Sequence, residues 1–151
     1  MRLTVHGKHF HLDGRPHFLR TVTYGPFPET SGHSPEKDFP QIRSAGFDSV
    51  RIYALPDRDL LDHAAQNDLI VIATHAWGHG CDFITENPSL LDQARRDLTA
   101  WLESHKNHPG LGAILVGNEI PSDMARWMTP WKVNQALDGL IRACQKVVPN
   151  I

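Results

Sequence analysis

Cysteine is scarce in this sequence. Its 151 residues carry two, Cys81 and Cys144, too few and too differently placed for a disulfide framework, so reduced thiols and a cytoplasmic location are the expectation. Long apolar runs are missing too. No segment approaches the uninterrupted length of a membrane span, and Met1-Arg-Leu-Thr-Val lacks the apolar core of a signal peptide. The parent polypeptide of such a chain can still be membrane-attached. Charge of one sign is not in excess: the formal net charge is -2 and Lys and Arg are scattered, which argues against nucleic acid or an anionic membrane as partner. Low-complexity segments and linkers are absent. So is a Gly-rich phosphate loop. The loop after the first buried strand is Tyr24-Gly-Pro-Phe27, which lacks the run of backbone donors a nucleotide phosphate needs.

What the sequence does contain is a regular alternation. With 40% hydrophobic and 21% charged residues, residues 1–151 are expected to form one domain with a substantial core. Leu3–Val5 and His9–Leu12 flank a Gly7 turn and predict an N-terminal hairpin over residues 1–16. Residues 17–151 then read as four βα units. Phe18–Thr23 predicts a strand, and Ser34-Pro35 opens a helix to Ala45 with Pro at its first position. Ser49–Tyr53 is the next strand, followed by a helix from Arg58 to Gln66 capped by Asp57. Leu69–Thr74, a helix from Pro88 to Lys106, Leu111–Val116 and a helix from Pro130 to Val148 complete the series. The longest irregular stretches, 24–33, 76–86 and 117–128, all follow strand ends. Successive βα units imply parallel strands with right-handed crossovers. The fold class is therefore α/β, and the long loops after each strand favour a partial (β/α)8 barrel, a fold that takes about 250 residues when whole.

The apolar run Leu111–Val116 leads into Gly117-Asn118-Glu119-Ile120-Pro121, which sets a carboxylate at a strand's C-terminal end, the edge where parallel α/β folds bind ligands. His75, His79 and Cys81 are metal-ligand types, but their spacing is poor and no fourth ligand is obvious, so neither a metal nor another cofactor is expected. His105 and His108 suit the negative end of the third helix dipole. Ala94, Leu98, Trp101 and Leu102 share a helical face and predict core, as do Leu137, Leu140, Ile141 and Val148. Trp127 and Trp131 border the presumed cleft and are assigned to packing.

Leu19-Arg-Thr-Val-Thr-Tyr-Gly-Pro26, Val50-Arg-Ile-Tyr53, Leu69-Ile-Val-Ile72 and Gly117-Asn-Glu-Ile-Pro121 together resemble the first half of a clan A glycoside hydrolase barrel. The similarity is to the family 2 type, and within it to the variant joined to a membrane glycosyltransferase in bacterial polysaccharide proteins. The resemblance implies retaining hydrolysis or transglycosylation of a β-glucan-like glycoside. It makes Glu119 the general acid/base and Asn118 the contact to the sugar 2-hydroxyl. It also matches Arg51 to an Arg that holds the nucleophile carboxylate, the alternative being an interior Arg paired structurally. Tyr24, Tyr53, His75 and Trp77 are further candidates for the substrate pocket, each with plain packing as the alternative. The nucleophile of that clan ends a seventh strand, which has no counterpart here, so the chain by itself is expected to be inactive. A carbohydrate-binding or scaffold module without catalysis is the competing reading. Four strands of an eight-stranded barrel leave two open edges, so self-association or a complementary half-barrel is expected.

Overall fold

The structure, a computed structural model, describes residues 3–75 and 88–149. Two sheets share the chain. The first is antiparallel, with strands β1 (Leu3–His6), β2 (His9–Leu12) and β3 (Arg15–His17) in that order. The expected hairpin gains a third strand, although Pro16 looks like a strand breaker. It is tolerated because β3 is an edge strand whose one neighbour is β2, with Pro16 opposite His11.

The second sheet is parallel, in the order β4 (Thr21–Thr23), β5 (Ser49–Ile52), β6 (Ile70–Thr74) and β7 (Leu111–Leu115). The expected strand from Phe18 is shortened to its last three residues. Phe18 is 84% exposed, and Arg20 spends its backbone groups on Asp48: its N–H donates to Asp48 Oδ1 at 2.8 Å and its carbonyl accepts from Asp48 N–H at 3.1 Å. Helices α1 (Pro35–Ser44), α2 (Arg58–Gln66), α3 (Pro88–His105), α4 (Ser122–Trp127) and α5 (Pro130–Val147) complete the fold. The Asp57 cap is realised, its carboxylate accepting from Leu60 N–H at 2.9 Å. Helix α4 lies in a stretch expected to be irregular, where a six-residue helix is too short to show a hydrophobic period.

Register decides which side chains face the helices. Val22, Val50 and Val71 form one cross-strand row, and Ile52, Ala73 and Ile114 form another. Val50, Ile52, Val71 and Ala73 are buried with Phe39 of α1 and with Leu61 and Ala64 of α2. A second cluster joins Ala94, Leu98 and Leu102 of α3 to Leu140 and Cys144 of α5. Leu55, Trp101, Leu111 and Ile114 touch both clusters and merge them. The intervening row of Thr23, Arg51, Ile72 and Ala113 therefore faces away from the helices. Burial pushes the Cys144 thiol up to about 11, leaving it an inert core residue.

Gly112 marks where the two sheets meet. A Cβ there would lie 2.0 Å from Ile70 Cγ2 and 3.4 Å from Leu3 Cδ2, so only glycine admits this contact. His108 and Asp62 tie α2 to the turn before β7. Nδ1 of His108 accepts from Gly110 N–H at 3.1 Å, which leaves Nε2 to donate to Asp62 at 2.9 Å. That pairing, rather than the helix dipole, accounts for His108. His105 bonds the Trp101 carbonyl at 2.7 Å and stacks on the Trp101 ring. No helix among the described residues is long and apolar enough to cross a membrane.

Candidate active site

Arg51 organises the C-terminal rim of the parallel sheet. Its guanidinium lies 4.5 Å from the centre of the Tyr53 ring, a cation–π contact from the same strand end. Nη2 donates to Asn118 Oδ1 in the loop after β7, so one bond spans β6 and fixes the end of β5 against the end of β7. With Oδ1 occupied, the Asn118 amide offers its N–H groups as donors. Glu119 follows, exposed and with φ +44°. The left-handed region is unfavourable for a side chain of this kind, and backbone strain of this sort concentrates at functional sites. A groove of about 490 Å³ runs beside it, walled by Ile114, Val116, Leu137 and Ile141 and reaching Asn118 and Glu119.

Three buried polar atoms among the described residues have no hydrogen-bond partner: Arg51 Nε, Thr74 Oγ1 and His75 Nε2. All three belong to the ends of β5 and β6. Orphaned buried polar atoms are uncommon in folded proteins; Arg51 Nε and Thr74 Oγ1 belong to the face turned from the helices, whereas His75 Nε2 belongs to the helix side. Thr74 was missed in the sequence. Its signal was available, since it follows Ile72 by two residues and so lies on the Arg51 side of β6.

The structure brings Arg51, Tyr53, Asn118 and Glu119 to that rim but turns two other candidates away from it. The Tyr24 hydroxyl donates to Asp38 of α1 at 2.8 Å, and its ring packs edge-on against Phe39 and Phe27. Burial and the Asp38 carboxylate raise the Tyr24 pKa well above the usual phenol range. Asp38 Oδ2 also receives the His33 ring and the Ser34 N–H, each at 3.1 Å. His75 faces the helix layer, beside the Ala94 backbone and Asp97 of α3. Burial outweighs both and holds the ring below the usual imidazole range. Both residues lie one position beyond a strand end, with the parity of the helix-facing rows, so they depart from the expected common pocket. Trp77, His79 and Cys81 lie outside the described residues. Among those described, no group of three or more His, Cys, Asp or Glu side chains is placed to hold a metal ion.

Trp127, Trp131 and Ile141, expected to be packed, are exposed. Trp127, at the end of α4, is 74% exposed, and Trp131 is 70% exposed because α5 buries Val133, Ala136, Leu140 and Cys144 on its opposite side. Ile141, expected in the core, is 42% exposed on the wall of the groove beside β7.

The structural neighbours of this chain are glycoside hydrolases. A Bacteroides uniformis β-glucuronidase, covalently bound to cyclophellitol-6-carboxylate aziridine, superposes with a TM-score of 0.74 at 20% identity over 95% of this chain. A Pseudomonas stutzeri endoglucanase superposes with a TM-score of 0.54 at 22% identity over 74% of this chain. The same endoglucanase in complex with cellobiose gives 0.51 at 26% identity. The chain spans 18% of the β-glucuronidase and 40% of the endoglucanase. The likeness is one of fold. No protein-family model matches the chain, and no curated protein sequence matches it significantly.

Proposed function

We propose that residues 1–151 form a glycoside hydrolase-like unit, the N-terminal antiparallel strands and four βα units of a (β/α)8 barrel, that acts on a β-linked, glucan-like sugar chain. The observation that supports this reading is the Arg51–Asn118 bond, which ties the residue before Glu119 to the end of β5 at the C-terminal rim of a parallel sheet. Glu119 is the general acid/base. Its carboxyl proton passes to the glycosidic oxygen as the bond from that oxygen to the anomeric carbon breaks, and a second carboxylate bonds to the anomeric carbon. A water, or the hydroxyl of an acceptor sugar, then gives its proton back to the Glu119 carboxylate and displaces the enzyme. Asn118 donates to a sugar hydroxyl, Tyr53 lines the pocket, and Arg51 orients the second carboxylate.

No carboxylate among the described residues pairs with Arg51. In this reading the second carboxylate comes from a complementary half of the barrel. Residues 1–151 alone are then expected to bind β-glycosides and leave them uncleaved. General acid catalysis typically contributes about 10² to 10⁴-fold. In the full natural protein, Glu119→Gln is expected to lower the glycosylation rate by that order for substrates with poor leaving groups. The loss is far smaller for an activated aryl glycoside, whose leaving group departs without the proton. Equal losses for the two substrates would overturn the assignment of Glu119. Cleavage by residues 1–151 alone would overturn the need for a second half, and binding without cleavage by the full protein would favour a carbohydrate-binding module instead.

A further inference from the structure

The outward face of α5 carries a stripe that the proposed active site does not use. Trp131, Asn134, Gln135, Asp138, Gly139 and Arg142 recur at helical spacing and border one depression of about 630 Å³. They lie opposite the buried face of Val133, Ala136, Leu140 and Cys144, so the stripe is not the helix's packing surface. Trp131 is 70% exposed at the start of α5, and Trp127 is 74% exposed at the end of α4. Trp131 thus leaves a large apolar face in water, bordered by polar side chains.

We propose that this stripe is an accessory binding site for an uncharged β-linked polysaccharide, with Trp131 as its stacking platform. The indole face covers the C–H face of a pyranose ring, and the amides of Asn134 and Gln135 supply both donors and acceptors for vicinal hydroxyls. Asp138 and Arg142 pair at 2.8 Å. Their charges cancel locally, which fits an uncharged ligand better than an anionic one. Gly139 removes a side chain from the middle of the stripe; a Cβ there would find nothing nearer than Arg95 Nη2 at 4.0 Å. Glycine inside a helix is unfavourable, and here its consequence is an open floor one turn beyond Gln135. No aliphatic side chain borders the depression, as an apolar protein contact would require, and it has no basic cluster for a membrane surface. The stripe begins at the helix terminus that follows the Asn118–Glu119 loop, so a chain leaving that rim meets Trp127 and Trp131 first. The ligand class rests on the proposed carbohydrate-active reading; the site itself rests on the stripe.

Native gel electrophoresis in soluble mixed-linkage β-glucan, with dextran as control, tests the proposal. Retardation by the β-glucan is expected to survive Asn118→Ala, which disables the rim site. Adding Trp131→Ala to that background is expected to weaken it about tenfold, the effect of losing one aromatic anchor. Asp138→Asn and Arg142→Gln together should weaken it to a smaller extent without disturbing the fold. Absence of retardation, unchanged mobility after Trp131→Ala, or Trp131-dependent capture by anionic phospholipid vesicles in place of glucan would each overturn the proposal. Failure of the full protein to cleave any β-glycoside would leave these mobilities unchanged, so the two readings fail separately.

Discussion

Asp48 and Arg51 stand three residues apart on one stretch of chain, and their surroundings are opposite in kind. Asp48, 4% exposed at the entrance to β5, has every need met. Its carboxylate takes Arg20 N–H at 2.8 Å and His17 Nε2 at 2.9 Å, with Arg20 Nε at 3.5 Å. Those donors come from the last strand of the antiparallel sheet and from the link to the parallel one, so Asp48 fastens the two sheets. Arg51, toward the exit of β5, has an amide, an aromatic ring and an unpaired Nε. A charge surrounded by enough partners holds a structure together. A charge with fewer partners contributes less to that hold, and the two ends of β5 differ in that respect.

The largest effect is expected from removing the satisfied charge. Asp48→Ala strands the Arg20 N–H and the His17 ring, and unfolding in urea should show a loss of about 3 kcal/mol. A loss below about 1 kcal/mol would mean that the two sheets are held by packing alone. Acid should reveal the same bond. Burial raises the Asp48 pKa, but the Arg20 and His17 contacts overcome it and leave the group below its ordinary 3.8. Its stabilising contribution is therefore complete above 3.8 and disappears as pH falls through the lower folded value. His75 adds an earlier step. Its folded pKa is depressed below 6.5, so the unfolded chain takes up the proton first and stability begins to decline below about 6.5. A urea midpoint that is flat from pH 7 to 5, and unchanged by His75→Gln, would contradict the buried placement of that ring.

The smallest effect on stability is expected at the unsatisfied charge. Replacing a buried ionic group by an apolar one of similar volume is often neutral or favourable. Arg51→Met should therefore shift the unfolding free energy by less than about 1 kcal/mol while abolishing the carbohydrate cleavage proposed for the full protein. A loss of several kcal/mol would make Arg51 a structural prop and remove the contrast with Asp48.

Much of this arrangement was legible in the sequence, because it rests on local signals. The Asp57 cap, the prolines at positions 35, 88 and 130, and the apolar runs of β5, β6 and β7 locate those elements to within a residue or two. The stretch Gly117–Pro121 stands out in the sequence as a candidate site because an apolar strand precedes it. The directions of Tyr24 and His75 were not legible. Each follows a strand end by one residue, and only the cross-strand register, a long-range property, shows that this step turns them toward α1 and α3. The partner of Tyr24 was hidden for the same reason, since Asp38 looks like an ordinary acidic residue in the first turns of a helix. The exposed tryptophans were misread because aromatic content alone does not tell which side of α5 is covered.

The left-handed backbone at Glu119 bears on how this position can change over time. Asparagine and glycine occupy such a conformation with little strain, whereas a residue of glutamate's shape is held there at about 1 to 3 kcal/mol. Random substitution toward Asn or Gly would thus relax the loop and stabilise the fold. A lineage freed from any demand on the carboxylate has an open downhill route away from it, and glutamate at 119 stands uphill of that route.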